Sequence, residues 1–233
     1  MPVLITRPEP GASITARRLR DMGYVALVAP GTVIENRPTR LPAPDRLQAV
    51  LLTSAAALPA LTEQFHHLPV FAVGDATAAV ARAAGFATVA SAAGDAVALI
   101  RLVTARLRAD GGTLLFPGAA VLAADIVRPL RAQGFRVLRR IVYRVITAPN
   151  LPAEALTALA AGEISHALFF SPGSARAFVA RALVERPEVL LHCTQTEALA
   201  ISSATAAALA PLQWRRIRVA SRPNQDEVLA LLP

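Results

Sequence analysis

The 233-residue sequence contains no lysine, so all 24 basic residues are arginine, and it has a single cysteine, Cys193. Without lysine there is no Schiff-base catalysis and no P-loop lysine. One cysteine forms no intramolecular disulfide, which agrees with a reducing compartment. Aromatic residues make up only 5% of the chain and do not interleave with the arginine groups Arg17-Arg18-Arg20, Arg139-Arg140-Arg144 and Arg215-Arg216-Arg218. A stacking platform for nucleic acid is therefore not expected. The longest charge-free windows, Leu47 to Thr62 and Ala198 to Trp214, fall short of the roughly 20 apolar residues a membrane-spanning helix needs. The strand Val3-Leu4-Ile5 follows the N-terminus with no basic region before it, so we expect no signal peptide and a cytoplasmic protein. G-x-G-x-x-G, Walker A and G-x-S-x-G motifs are missing. His66, His67, His166, His192 and Cys193 lack metal-ligand spacing. No metal is expected.

What is present is apolar: 54% hydrophobic residues against 17% charged, which excludes disorder. The net charge of +8 favours acidic ligands. The chain also echoes itself. Leu19-Arg20-Asp21-Met22-Gly23-Tyr24 reads like Leu130-Arg131-Ala132-Gln133-Gly134-Phe135, and each leads into a β-type run. Leu52-Thr53-Ser54 is echoed by Phe169-Phe170-Ser171, Ala72 to Ala78 by Ala200 to Ala206, and Val89-Ala90-Ser91 by Val219-Ala220-Ser221. Self-similarity on this scale implies two copies of one α/β domain, with a cleft between them as the expected place for a small molecule.

Short apolar strands alternate with Ala-rich helices, the pattern of parallel sheets covered on both faces. The pattern predicts strands near 3–6, 25–29, 49–53, 70–73, 87–90, 113–116, 136–146, 166–170, 198–201 and 216–220. It predicts helices near 11–22, 55–65, 75–84, 95–108, 120–133, 152–161, 173–184, 203–210 and 225–232. Residues 186–197 carry no clear pattern. Gly31 to Pro44 and Ile146 to Pro152 read as connectors. The long run Val137 to Ile146 could bridge two lobes. One lobe would then be continuous, 37–145, and the other discontinuous, 1–34 plus 149–233; a simpler split near residue 110 is also open.

Small polar residues gather where strands end and helices begin: Thr6-Arg7, Thr53-Ser54, Gly74 with Thr77, Pro117-Gly118, Ser171-Pro172-Gly173-Ser174 and Ser202-Ser203 with Thr205. Ligands bind outside these carboxyl ends in open parallel sheets. The free N–H groups of helix starts hold carboxylates or phosphates. The same residues are also ordinary N-caps. Tyr143, one of two tyrosines, lies in the bridging strand. It is either a packing residue or a phenol able to donate a proton.

The ordered set Ile5-Thr6-Arg7-Pro8, Leu52-Thr53-Ser54, Val73-Gly74-Asp75-Ala76-Thr77-Ala78, Gly94-Asp95-Ala96, Leu114 to Gly118, Val142-Tyr143, Phe169-Phe170-Ser171-Pro172, Ile201 to Ala206 and Arg222-Pro223-Asn224 resembles the uroporphyrinogen-III synthase family. The resemblance implies two flavodoxin-like lobes joined by a two-stranded β connector, the first lobe discontinuous. It implies a lyase that cyclises hydroxymethylbilane, an octacarboxylate linear tetrapyrrole, with inversion of its last ring and without cofactor or metal. It implies that Tyr143 assists departure of the hydroxyl. The substrate would be held by Arg7, Thr53, Ser54, Gly74, Thr77, Gly118, Ser171, Pro172, Gly173, Ser174, Ser202, Ser203 and Thr205. A monomer without nucleic-acid or membrane partners is expected. The stretch Gly118 to Ala124 carries no charge, where the family has Asn or Asp and a nearby Arg. A non-catalytic two-lobed homologue that binds a tetrapyrrole or a protein partner stays open at this point, as does a cytoplasmic sensor with paired lobes.

Overall fold

The computed structural model describes residues 2–185 and 193–233, and its secondary structure is a mixture of parallel sheets and helices. The chain divides into two compact units, Met1–Val33 with Ile146–Pro233, and Ile34–Val145. In the first unit β1 (Val3–Ile5), β2 (Ala26–Val28), β9 (His166–Phe169), β10 (Glu197–Ala200) and β11 (Arg216–Val219) form a sheet in the order β11-β10-β9-β1-β2. All four pairings are parallel. In the second, β4 (Leu47–Leu52), β5 (Val70–Ala72), β6 (Val89–Ser91), β7 (Thr113–Ala119) and β8 (Arg136–Thr147) pair in parallel in the order β8-β7-β4-β5-β6. The strand β3 (Thr32–Asn36) lies next to β8 at the edge.

The two five-stranded parallel arrays have the same spatial order. Matching β2-β1-β9-β10-β11 to β8-β7-β4-β5-β6 puts every pair of echoed segments on equivalent strands: β9 with β4, β10 with β5, β11 with β6. The chain enters the two arrays at different points. Numbered along its own chain, the first array reads 2-1-3-4-5, the flavodoxin order, and the second, taken in the matched direction, reads 5-4-1-2-3. The second connectivity is thus a circular permutation of the first.

The helices follow from local chemistry. α1 (Gly11–Asp21) and α4 (Val127–Ala132) end at Gly23 and Gly134, which take φ of +85° and +87°. At each end the residue after the glycine donates back five positions, Tyr24 N to Leu19 O at 2.8 Å and Phe135 N to Leu130 O at 3.1 Å. This is the Schellman geometry, which needs a residue tolerant of positive φ. α2 (Asp75–Ala83) starts after Gly74 with Asp75 in its first turn and Arg82 in its last, both matched to the helix dipole. α3 (Ala96–Arg106) is capped by Asp95, whose Oδ1 accepts from Ala98 N at 2.9 Å. α5 (Ala153–Ala160) and α6 (Pro172–Glu185) cover the first sheet, with proline at the first position of α6. α7 (Ser203–Ala207) and α8 (Gln225–Leu229) are single short turns of helix.

Each sheet is buried on both faces. In β1, Leu4 packs into one cluster with Leu159, Phe169 and Phe178, while Val3 and Ile5 pack into another with Leu19 and Leu229. In β7, Leu115 faces Leu52 and Phe65, while Leu114 and Phe116 face Leu99 and Leu130. Burying a leucine or phenylalanine of this kind stabilises by about 1.5–3 kcal/mol.

Three expectations are corrected. Residues 55–65 do not form one helix; Pro59 interrupts them, and two 3₁₀ turns, Ala55–Ala60 and Glu63–Phe65, result. The helix expected from 120 begins only at Val127, where Asp125 Oδ1 accepts from the N–H groups of Val127 and Arg128. Part of the expected connector 31–44 is β3. Arg37 N donates to Val142 O at 2.8 Å and Ala148 N to Gly31 O at 2.9 Å, so β3 and the second half of β8 run antiparallel. Of the patternless stretch, 193–195 is a 3₁₀ turn and Glu197–Ala200 is β10; 186–192 lies outside the described residues.

Candidate active site

Parallel strands place all their carboxyl ends on one edge of a sheet. In the second unit that edge carries Thr53 and Ser54 after β4 and Gly74 with Thr77 after β5. Ser54 is the N-cap of the following turn, its Oγ accepting from Ala56 N at 3.2 Å. Gly74 caps α2 with no side chain, and a Cβ built on it would meet nothing within 4 Å. The amides at the start of α2 are open to an approaching anion.

Tyr143 sits on β8, opposite Ala119 of β7, immediately past a register shift between Gly118 and Ala119. The shift acts as a bulge, which changes where side chains point. Adjacent strand residues normally face opposite ways, yet Val142 and Tyr143 are both buried in the cluster of Leu52 and Leu115. Burial pushes the Tyr143 phenol above its ordinary value, and the nearby Ser54 side chain partly offsets this. The group is a protonated donor at neutral pH.

Gly118 is not at a strand end. β7 runs on to Ala119, Gly118 is buried, and a Cβ there would come within 3.3 Å of the Phe116 ring. Pro117, without an N–H, is tolerated because β4 pairs with β7 only as far as Leu115. Sequence reading missed Arg139. Its Nη2 donates to Ala119 O at 2.8 Å and Ala120 O at 2.9 Å, so β8 brings a cation to the loop that has no charge of its own. Nothing local in the sequence signals this, because the contact spans about twenty residues.

In the first unit the corresponding edge carries Arg7, Ser171, Pro172, Gly173, Ser174, Ser202, Ser203 and Thr205. Two of these are internal. Ser174 Oγ donates to Thr6 O at 2.7 Å and is buried, tying α6 to β1. Thr205 is fully buried with its Oγ1 3.0 Å from Ser202 Oγ. Ser171 and Ser202 are caps: Ser174 N donates to Ser171 Oγ at 3.1 Å and Thr205 N to Ser202 Oγ at 3.3 Å. Gly173 and Ser203 are exposed, and no atom lies within 4 Å of a Cβ on Gly173. Arg7 is half-buried, with its guanidinium 4.5 Å from the centre of the Phe170 ring and Nη1 donating to Gln225 Oε1 at 2.9 Å. Sequence reading named neither Phe170 nor Gln225 as part of a site. No group of three or more His, Cys, Asp or Glu residues is arranged for a metal among the described residues, and no helix there is long and apolar enough to cross a membrane.

Each of the two α/β units with parallel sheets carries capped or open helix starts along its carboxyl edge. A family model described as uroporphyrinogen-III synthase HemD matches residues 13–230. The chain belongs to the uroporphyrinogen-III synthase family, and the function this membership assigns is uroporphyrinogen-III synthesis in porphyrin and heme formation. Among solved structures, it is similar to the uroporphyrinogen-III synthetase of Helicobacter pylori 26695, with 17% identity, a TM-score of 0.61, and coverage of 99% of this chain and 97% of that one. A uroporphyrinogen III synthase of Thermus thermophilus matches at 17% identity over 99% of this chain and 97% of that one, with a TM-score of 0.39. The first likeness shows the fold. No curated protein sequence matches significantly.

Proposed function

We propose that the chain cyclises hydroxymethylbilane to uroporphyrinogen III by a cofactor-independent lyase reaction, with Tyr143 as the group that assists departure of the hydroxyl. The observation that carries this reading is a buried Tyr143 on β8, just past the register shift, with Ser54 of the β4 carboxyl end near enough to influence its phenol. A neutral phenol held there donates to the leaving oxygen, the C–O bond breaks, and water departs with the phenol's proton. The exocyclic carbon then bonds to the substituted carbon of the last ring. The resulting spiro centre reopens and closes with that ring inverted, and loss of a ring proton restores the pyrrole. The rest is positioning, which converts one of several closures into the favoured one.

The eight carboxylates are the reason for so many open amides. Gly74, Thr77, Thr53 and Ser54 in the second unit, and Ser171, Gly173, Ser202 and Ser203 in the first, present those amides, and Pro172, which has no N–H of its own, fixes the backbone at the start of α6. Ser174, Thr205 and Gly118 act from behind, holding the loops. In this reading the two units are lobes joined by β3 and β8, and the protein works as a cytoplasmic monomer without nucleic-acid or membrane partners. The test is product identity. Unassisted hydroxymethylbilane closes to isomer I, so added protein diverts product to isomer III, measured by chromatography after oxidation. Isomer I alone in the presence of folded protein returns the chain to the non-catalytic class.

A further inference from the structure

The acidic residues around Arg7 are all engaged elsewhere. Asp226 pairs with Arg18, and Glu227 pairs with Arg222 at 2.6 Å. Glu9 accepts from Ser13 N at 3.0 Å and from Ser13 Oγ at 2.8 Å. Arg7 receives a neutral partner instead, Gln225, and among the described residues it makes no ion pair. Gln225 Oε1 is itself positioned, since it also accepts from the fully buried Thr15 at 3.2 Å. The remaining walls of the seat are the Phe170 ring on one side and Gly11 on the other, where a Cβ would lie 2.6 Å from Arg7 Cζ. Four chain segments thus build a fitted place for one cation, at the end of β1, and give it no paired counter-charge.

Half-burying an unpaired cation is unfavourable unless an anion arrives. Burial accordingly lowers the Arg7 pKa, while Glu9 opposes the shift. An arginine has five donors, and a single neutral acceptor leaves the fork able to take a carboxylate in bidentate fashion.

We propose that Gln225 is the positioning residue for Arg7, which the family resemblance already places among the residues that hold the substrate, fixing its guanidinium to receive a carboxylate without neutralising it. The inference rests on the tetrapyrrole reading and deepens it. It assigns one carboxylate to a side chain and explains why the position that touches Arg7 is an amide in a helix start otherwise rich in acids, Asp226 and Glu227.

The probe is uroporphyrin, a stable octacarboxylate whose binding needs no turnover. Its affinity is measured by fluorescence titration for the wild type, Arg7→Met, Gln225→Glu, Gln225→Leu and Gly11→Ala, with melting temperatures alongside. Arg7→Met is expected to weaken binding about 10- to 100-fold, the loss of one charge-assisted pair. Gln225→Glu supplies an internal counter-ion, so it is expected to weaken binding as much while leaving the melting temperature equal or higher, and to raise KM with little change in kcat. Gln225→Leu and Gly11→Ala, which release or displace the guanidinium, are expected to fall between. A Gln225→Glu variant that binds uroporphyrin as the wild type does overturns the proposal even if Arg7→Met fails to fold, and so does a wild type that does not bind. A wild type that binds with the predicted losses but yields isomer I sinks the synthase reading and leaves the carboxylate seat standing. Isomer III with unchanged affinity in every variant does the reverse.

Discussion

Ser54 lies near enough to the buried Tyr143 to lower its phenol pKa against the effect of burial, while the same serine Oγ accepts from Ala56 N. One hydroxyl therefore acts on both the phenol and the turn that closes β4. Replacing the tyrosine removes the acid and leaves the turn's cap in place. Tyr143→Phe is expected to slow formation of isomer III by a factor of roughly 10 to 10⁴, the range for losing a general acid. Its loss of stability should be about 1 kcal/mol or less, the scale of one polar contact. Turnover and melting temperature on the same preparation check this; unchanged turnover with a large fall in stability would assign Tyr143 to packing.

The raised phenol pKa carries its own signature. A group that binds its proton more tightly when folded contributes stability that is complete below its unfolded value, about 10, and that is lost as pH rises through the folded value. Wild-type protein is expected to lose unfolding free energy above about pH 10 more steeply than Tyr143→Phe. Urea titrations from pH 8 to 11.5 give the comparison, and parallel curves would contradict the burial that raises the pKa.

Gly74 and Gly173 separate anion binding from simple capping. Neither has an atom within 4 Å of an added Cβ, and neither takes a positive φ. Substitution to valine should leave the fold intact and cover the amides at the starts of α2 and α6. We expect melting temperatures within a few degrees of wild type and activity reduced at least about tenfold, as expected when close approach to a helix start is blocked. If instead rate follows stability in both variants, the helix starts act only as structure.

Cys193 is fully buried, and burial pushes its thiol up to about 12. The thiolate is the reactive form, so the native protein is expected to resist Ellman's reagent at pH 8 and to release one equivalent of thiol only in denaturant. Rapid labelling of native protein would show that the turn Cys193–Gln195 opens readily.

Much of this architecture can be read in the sequence, but the clearest echo has a humbler source than duplication. Leu19 to Tyr24 and Leu130 to Phe135 are alike because each ends a helix with the same glycine-based turn. Ala81 to Phe86 ends α2 in the same way, with Gly85 at φ +100° and Phe86 N donating to Ala81 O. The weaker echoes at Ser54 and Ser171 and at Thr77 and Thr205 prove more telling, because they fall on equivalent strands and helices of the two arrays. What escaped was set by distance or by competition. β3 is five residues between prolines, and only β8, a hundred residues on, makes it a strand. Pro59 outweighed the helical propensity of Ala55 to Ala57. Serine and threonine at helix starts announce caps, yet the sequence does not tell the exposed Ser203 from the internal Ser174. Nor could Gln225 be singled out, since its partner Arg7 lies 218 positions away.

The permuted connectivity also sets an order of events during synthesis. The second unit is one unbroken segment, so all of its strands have left the ribosome once β8 is made. β1 must wait: its Thr6 hydroxyl is bonded to Leu168 O, 162 positions later. For most of translation the strand Val3–Ile5, every residue of which is buried in the finished protein, has no β9 to join. Closing so long a loop is entropically unfavourable and slow. The N-terminal segment is therefore the part of the newborn chain most in need of protection, and any variant that delays β9 prolongs its exposure.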